Sequence, residues 1–123
     1  MPQKILIIED EKIIYNLLAK KLSFEGYNVF IAKDGEEGLI KLRKIKPDLV
    51  LLDIIMPKKN GFEVMEEMQK DEILKKIPVI VISNSGQPVE IERVKKLGAK
   101  DWFIKTDFDL QEIIKKVKKQ IGK

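Results

Sequence analysis

Five short aliphatic runs recur along this chain of 123 residues: "KILII" (4–8), "NVFIA" (28–32), "DLVLLD" (48–53), "PVIVIS" (78–83) and "DWFIK" (101–105). Each is nearly continuous in apolar residues, as expected of strands covered on both faces. Helical patterns separate them. The first spans about Lys12 to Glu25, with Ile14, Leu17, Leu18 and Leu22 on one stripe and Gly26 at its end. The second opens at "DGEE", where Asp34 is the cap and Glu37 takes the reciprocal capping-box position, and it stops before Pro47. The third covers roughly Phe62 to Asp71 and closes before Pro78. The fourth follows Pro88, which suits a first helical turn, and ends at "LGA". The last begins at Asp109, with Glu112 three residues on and Leu110, Ile113, Ile114, Val117 and Ile121 on one face.

Strand–helix–strand units of this kind are almost always parallel and right-handed. With helices on both faces the expected fold is α/β: a doubly wound five-stranded parallel sheet, one domain over 1–123. Ligands in such sheets bind beyond the carboxyl ends of the strands, near the switch in strand order.

Composition narrows the chemistry available at that edge. The chain has no Cys and no His, so it holds no disulfide, no zinc-thiolate site and no imidazole base. Carboxylate, hydroxyl, amine and amide remain, a set that favours a hard cation such as Mg²⁺. The net charge of +4 comes mainly from Lys and reads as a solvated face. With no clustered Arg and no reading motif, direct nucleic-acid binding is not expected. No run approaches the roughly 20 apolar residues of a membrane helix. The opening "MPQKILIIEDEK" lacks the apolar core of a secretory leader, so a cytoplasmic location is expected.

The strand ends carry the informative residues. The first strand ends in Glu9-Asp10, the third in Asp53, the fourth in Ser83 and the fifth in Lys105, whereas the second ends in Ile31-Ala32. One strand-end acid is usually a cap, and one Lys is usually solvated. Three acids, a hydroxyl and an amine on a single edge are much harder to explain that way. Acids packed together repel and raise one another's pKa, and a divalent cation resolves the conflict. Lys105 is a fit partner for a phosphoryl oxygen or for Asp53 itself. No base stands by to activate Ser83, so Asp53, already an anion, is the better nucleophile.

These features resemble the receiver domain of two-component response regulators over essentially the whole chain. "ILIIEDE", "PDLVLLDIIMPKKNG", "PVIVIS" and "GAKDWFIK" carry the resemblance, together with the spacing from Asp53 to Ser83 and Lys105. It implies the flavodoxin-like strand order 2-1-3-4-5. It also implies Asp53 as phosphoacceptor, Asp10 as direct Mg²⁺ ligand, Glu9 holding the metal through water and Ile55 lending its backbone carbonyl. Lys105 would contact the phosphoryl group, Ser83 would be the switch hydroxyl and Trp102 the switch aromatic, while Pro57 and Gly61 shape the loop after the acceptor. The implied donor is a histidine kinase or phosphotransfer protein, and these 123 residues, lacking His, cannot supply the phosphohistidine themselves. The implied output is a changed surface of helix four, strand five and helix five that binds a downstream protein, as a monomer or a phosphorylation-linked dimer. The family is a signalling module rather than a turnover enzyme.

Four positions depart from the family pattern. Glu9 stands where the family more often has Asp, Glu being a frequent variant there. Asn84 stands where a small residue commonly follows the switch hydroxyl, Thr106 replaces the Pro after Lys105, and Trp102 is bulkier than the usual Tyr or Phe. A degenerate receiver working as an interaction module is therefore the competing reading, although Asp53, Asp10 and Lys105 are all present. A flavodoxin-like phosphate binder fits less well, because acidic "EDEKI" follows the first strand. An Asp-nucleophile phosphatase also fits less well, because Ile55 stands where its second Asp belongs. No DNA-binding or catalytic segment follows "KKVKKQIGK", so a stand-alone receiver and a piece of a longer chain both fit.

Overall fold

The computed structural model describes residues 2–84, 88–107 and 109–122. Strands β1 (Lys4–Ile8), β2 (Asn28–Ala32), β3 (Leu49–Asp53), β4 (Val79–Ser83) and β5 (Asp101–Ile104) form one parallel sheet in the order β2-β1-β3-β4-β5. Helices α1 (Lys12–Phe24), α2 (Gly35–Ile45), α3 (Gly61–Gln69), α4 (Pro88–Lys96) and α5 (Leu110–Ile121) follow the strands in turn. The doubly wound α/β architecture and strand order expected from the sequence are those observed.

Side-chain alternation along the strands divides the core in two. Leu6, Ile8, Val50, Leu52, Val79 and Val81 face one layer, packing with Leu42 of α2, Met65 of α3 and Val94 of α4. Ile5, Ile7, Leu49, Leu51, Ile80 and Ile82 face the other, with Leu18 and Leu22 of α1 and Ile113 and Val117 of α5. The three central strands are therefore apolar on both sides, which is why their sequences run without alternation. The edge strands differ from that expectation. Val29, Phe30 and Ile31 of β2 are half-buried, as are most of the residues of β5, because an edge strand has a neighbour on one side only.

Local details refine the sequence reading. Helix α1 buries Tyr15, Leu18 and Leu22, while Leu17, expected on that stripe, is 41% exposed. Counting from Leu18 and Leu22, Tyr15 lies three residues back on the buried face, whereas Leu17 is turned aside. Asp34 caps α2 by accepting from the Glu37 backbone N–H, but the Glu37 carboxylate accepts from Lys33 N–H rather than from Asp34. Asn60 and Glu63 form the full reciprocal capping box of α3, which starts one residue earlier than expected. Asp109 caps α5 through the Gln111 N–H, with Ile113, Ile114 and Val117 buried and Leu110 and Ile121 half-buried. Past α1, Gly26 takes a left-handed φ of 99° that lets the chain turn into β2.

Candidate functional site

Sheet register builds the site. Ile8 of β1 pairs with Leu52 of β3, so Glu9 and Asp53 emerge side by side one residue further on. Asp53 pairs with Ile82, and Ser83 with Ile104, which places Ser83 and Lys105 along the same carboxyl edge. Strand β1 lies between β2 and β3, so this is also the point where strand order reverses.

The acids meet there. One ligand oxygen from each of Glu9, Asp10 and Asp53 lies within 4.8 Å of the others. Glu9 and Asp53 are buried and Asp10 is exposed. Lys105 reaches into this cluster with a side chain that is only 7% exposed. Its Nζ stands 3.1 Å from Glu9 Oε2 and 3.2 Å from Asp53 Oδ2, and it also donates to Glu11 Oε1. Glu9 Oε2 additionally accepts from the Glu11 backbone N–H at 3.0 Å. Glu9 Oε1 is buried with no hydrogen-bond partner among the described residues.

Electrostatics follow from this crowding. Burial pushes the Asp53 carboxyl up to about 7, and the neighbouring Glu9 charge adds to the rise, while Lys105 opposes it. Desolvation pulls the Lys105 ammonium down, but its hydrogen bond to Glu11 and the charges of Asp53 and Glu9 outweigh that, so its pKa is raised. A single ammonium thus faces three carboxylates, and negative charge remains in excess. Mg²⁺ fits such a place. The donors are all oxygen, one buried carboxylate oxygen has no partner, and the surplus charge is negative.

The loop after Asp53 is held close to the acceptor. Ile55 N–H lies 3.4 Å from Asp53 Oδ1, while the Ile55 side chain is 63% exposed, so Ile55 reaches the site through its backbone. Pro57 carbonyl accepts from Lys59 N–H at 2.8 Å around Lys58, whose φ is 68°. Gly61 N–H then donates to the Ile54 carbonyl at 2.7 Å. A Cβ on Gly61 would fall 2.5 Å from the Asp53 carbonyl oxygen and 2.8 Å from Ile54 Cα, so only glycine allows the chain so near the acceptor's backbone.

On the far side, buried Ser83 donates from its hydroxyl to Glu90 Oε1 of α4 at 3.1 Å. Trp102 is half-buried against the α2–α4 layer, with Lys95 Nζ 4.8 Å from its ring centroid. Asn84 is exposed. Beyond Lys105 a 3₁₀ turn spans Lys105–Asp107, and no described peptide bond is cis, that between Lys105 and Thr106 included.

The structure therefore brings together Glu9, Asp10, Asp53 and Lys105, keeps Ile55 beside them, and sets Ser83 and Trp102 against α4. Glu11 and Glu90 escaped the sequence reading. Glu11 had a signal, as the third acid of "EDE" beside a Lys that needs carboxylates. Glu90 had none, because nothing in the sequence says which acid of a helix turns toward a hydroxyl seven residues away.

Comparison with known proteins settles the family. The response regulator receiver domain model matches residues 5–118. The chain belongs to the response regulator receiver domain family. Receiver domains are phosphorylation-dependent switches of two-component systems, signalling modules that bind Mg²⁺ at an acidic site and interact with kinases and downstream targets. The receiver is 35% identical over 118 residues to the alkaline phosphatase synthesis transcriptional regulatory protein PhoP of Bacillus subtilis, covering 96% of this chain and 48% of that one. It thus spans about half the length of the curated relatives it matches. Among solved structures it resembles chemotaxis protein CheY4 of Vibrio cholerae, with a TM-score of 0.91 and 27% identity over 98% of this chain and 99% of that one. It also resembles a chain of the CheX–CheY–BeF₃–Mg²⁺ complex of Borrelia burgdorferi, with a TM-score of 0.91 and 29% identity over 100% of this chain and 92% of that one. No helix among the described residues is long and apolar enough to cross a membrane.

Proposed function

We propose that this receiver accepts a phosphoryl group onto Asp53 from a phosphohistidine on a partner kinase or phosphotransfer protein, with Mg²⁺ bound. The observation that carries the reading is Lys105 reaching Asp53 and Glu9 at the same edge where Glu9, Asp10 and Asp53 gather. Asp10 would ligate the metal directly, Glu9 through water, and Ile55 with its backbone carbonyl. When bound, the metal supplies positive charge against the phosphoryl oxygens.

The chain's own groups do the rest. An Asp53 carboxylate oxygen forms the new bond to phosphorus as the P–N bond to the donor imidazole breaks. The imidazole leaves with the bond's electron pair and takes up a proton. Charge spreads over the phosphoryl oxygens in a loose transition state, and Lys105, already beside Asp53, neutralises part of it. In the product, Ser83 donates to a phosphoryl oxygen and Trp102 fills the space that it vacates. The α4–β5–α5 surface then presents a different face to a protein target.

Mass spectrometry of the intact chain tests this with Mg²⁺ and a small acyl phosphate. The expected result is the gain of one phosphoryl group, lost in Asp53→Asn and on chelating the metal. No gain in the unaltered chain refutes the reading, and a phosphorylation-independent interaction module takes its place.

A further inference from the structure

Helix α4 supplies an acceptor for the Ser83 hydroxyl. Ser83 Oγ donates to Glu90 Oε1 at 3.1 Å, in a cleft walled by Ile54, Val81, Ile91, Val94 and Trp102. A serine hydroxyl carries one hydrogen. An ionised glutamate and a phosphoryl oxygen are both acceptors, so they compete for that hydrogen and cannot share it. The cleft beneath has a volume of about 10 Å³, room for no more than a single water. At that volume the cleft, as it stands between β4 and α4, does not admit an indole. Five residues along the same helix, Lys95 lies over the Trp102 ring.

We infer that Glu90 is a positioning residue that latches the receiver in its unphosphorylated arrangement by holding the Ser83 hydroxyl, so that it sets the threshold for switching. This deepens the proposed function and rests on Asp53 being the acceptor. Phosphorylation succeeds as a signal only when its oxygens win the hydrogen from Glu90. Because the two bonds exclude each other, each opposes the other, and the opposition is reciprocal. The latch also joins the two switch groups. Release of Ser83 frees the first turn of α4, and movement of α4 opens the wall against which Trp102 rests.

Beryllofluoride with Mg²⁺, a mimic of the phosphoryl group, is the probe. The chain's single Trp, Trp102, is the fluorescent reporter. Losing a charge-assisted hydrogen bond of this kind corresponds to roughly a tenfold change in an equilibrium. Glu90→Ala is therefore expected to lower the beryllofluoride concentration at the midpoint about tenfold. Glu90→Gln, which keeps the shape and weakens the acceptor, is expected to lower it less, and it keeps the test available if the alanine variant folds poorly. In a Ser83→Ala background both effects must vanish, which a general loosening of α4 would not produce. A midpoint unchanged by either Glu90 variant overturns the latch, as does an equal change with and without the Ser83 hydroxyl, and both leave Asp53 chemistry standing. A reporter that ignores beryllofluoride in the unaltered protein and in Asp53→Asn alike overturns the proposed function and the latch with it.

Discussion

Lys105 Nζ stands 3.2 Å from Asp53 Oδ2, joining the ends of β5 and β3. The ammonium compensates two buried carboxylates at once, those of Asp53 and Glu9. Removing one member of a buried ion pair leaves its partner's charge in low dielectric, which is far more damaging than replacing the whole pair. Lys105→Ala is expected to destabilise the metal-free receiver by about 2–4 kcal/mol. Saturating Mg²⁺ should recover more than half of that, since a cation held by the folded state alone stabilises it by mass action. Urea unfolding with and without Mg²⁺ checks this. An equal loss in both conditions would mean that Lys105 supports the fold by packing rather than by charge.

Gly61→Ala examines the loop after the acceptor. The added methyl would meet the Asp53 carbonyl oxygen and Ile54 Cα, both backbone atoms with little freedom to retreat. Overpacking of this kind is expected to lower stability by about 1–3 kcal/mol. Because the displaced segment includes Ile54, Ile55 and the end of β3, Mg²⁺ affinity should fall as well. Calorimetric titration with Mg²⁺, alongside thermal unfolding, separates the two effects. Unchanged Mg²⁺ affinity in a destabilised variant would show that the loop reaches the site independently of Gly61.

The order of the strands was legible only through the family resemblance carried by motifs such as "LLDIIMPKKNG". The strands themselves were legible because the three central ones are short runs apolar on both faces, set between helical patterns. The site edge was legible for the same reason. Once strand ends are known, parallel register places Glu9, Asp53, Ser83 and Lys105 on one line. Rotation about helix axes was harder to read. Leu17 has the right composition for the α1 stripe, yet Tyr15 occupies its place, since the packing angle of a helix on a sheet is set by all of its neighbours. Glu11 and Glu90 were hidden by a different ambiguity. The chain holds 20 acidic residues, most of them solvated, and local pattern does not say which will meet a particular cation or hydroxyl.

A cross-link between helices carries a pH signature. Glu25, just past α1, pairs with Lys118 of α5 at 3.0 Å and with Lys21 at 3.3 Å. The hydrogen bonds to Lys118 and Lys21 hold its carboxyl below the usual range. A depressed folded-state pKa means stability that is present above the unfolded value and lost as pH falls through the folded one. Glu25→Gln is therefore expected to lower the unfolding temperature slightly at neutral pH, and the gap should close as pH falls below the ordinary carboxylate range and through the lowered folded-state value. Parallel thermal scans across that range decide it. A gap that stays constant with pH would assign the effect to something other than the Glu25 charge.

Asn84 bears on how long a phosphoryl group would survive. It follows Ser83 directly at the end of β4 and is exposed, beside the edge where Asp53 stands. Hydrolysis of an acyl phosphate needs a water in line with the breaking bond, so bulk at this entrance slows water as well as small donors. Asn84→Ala is expected to speed both phosphorylation by a small acyl phosphate and the later loss of the group, each several-fold, with the steady-state level shifting less than either rate. The lifetime of the phosphorylated chain after donor removal, followed by mass spectrometry, measures the second rate directly. A lifetime unchanged by the substitution would exclude Asn84 as the screen. It would direct attention to the loop after Asp53, where the Ile55 backbone N–H meets the acceptor carboxylate and the Ile55 side chain is exposed.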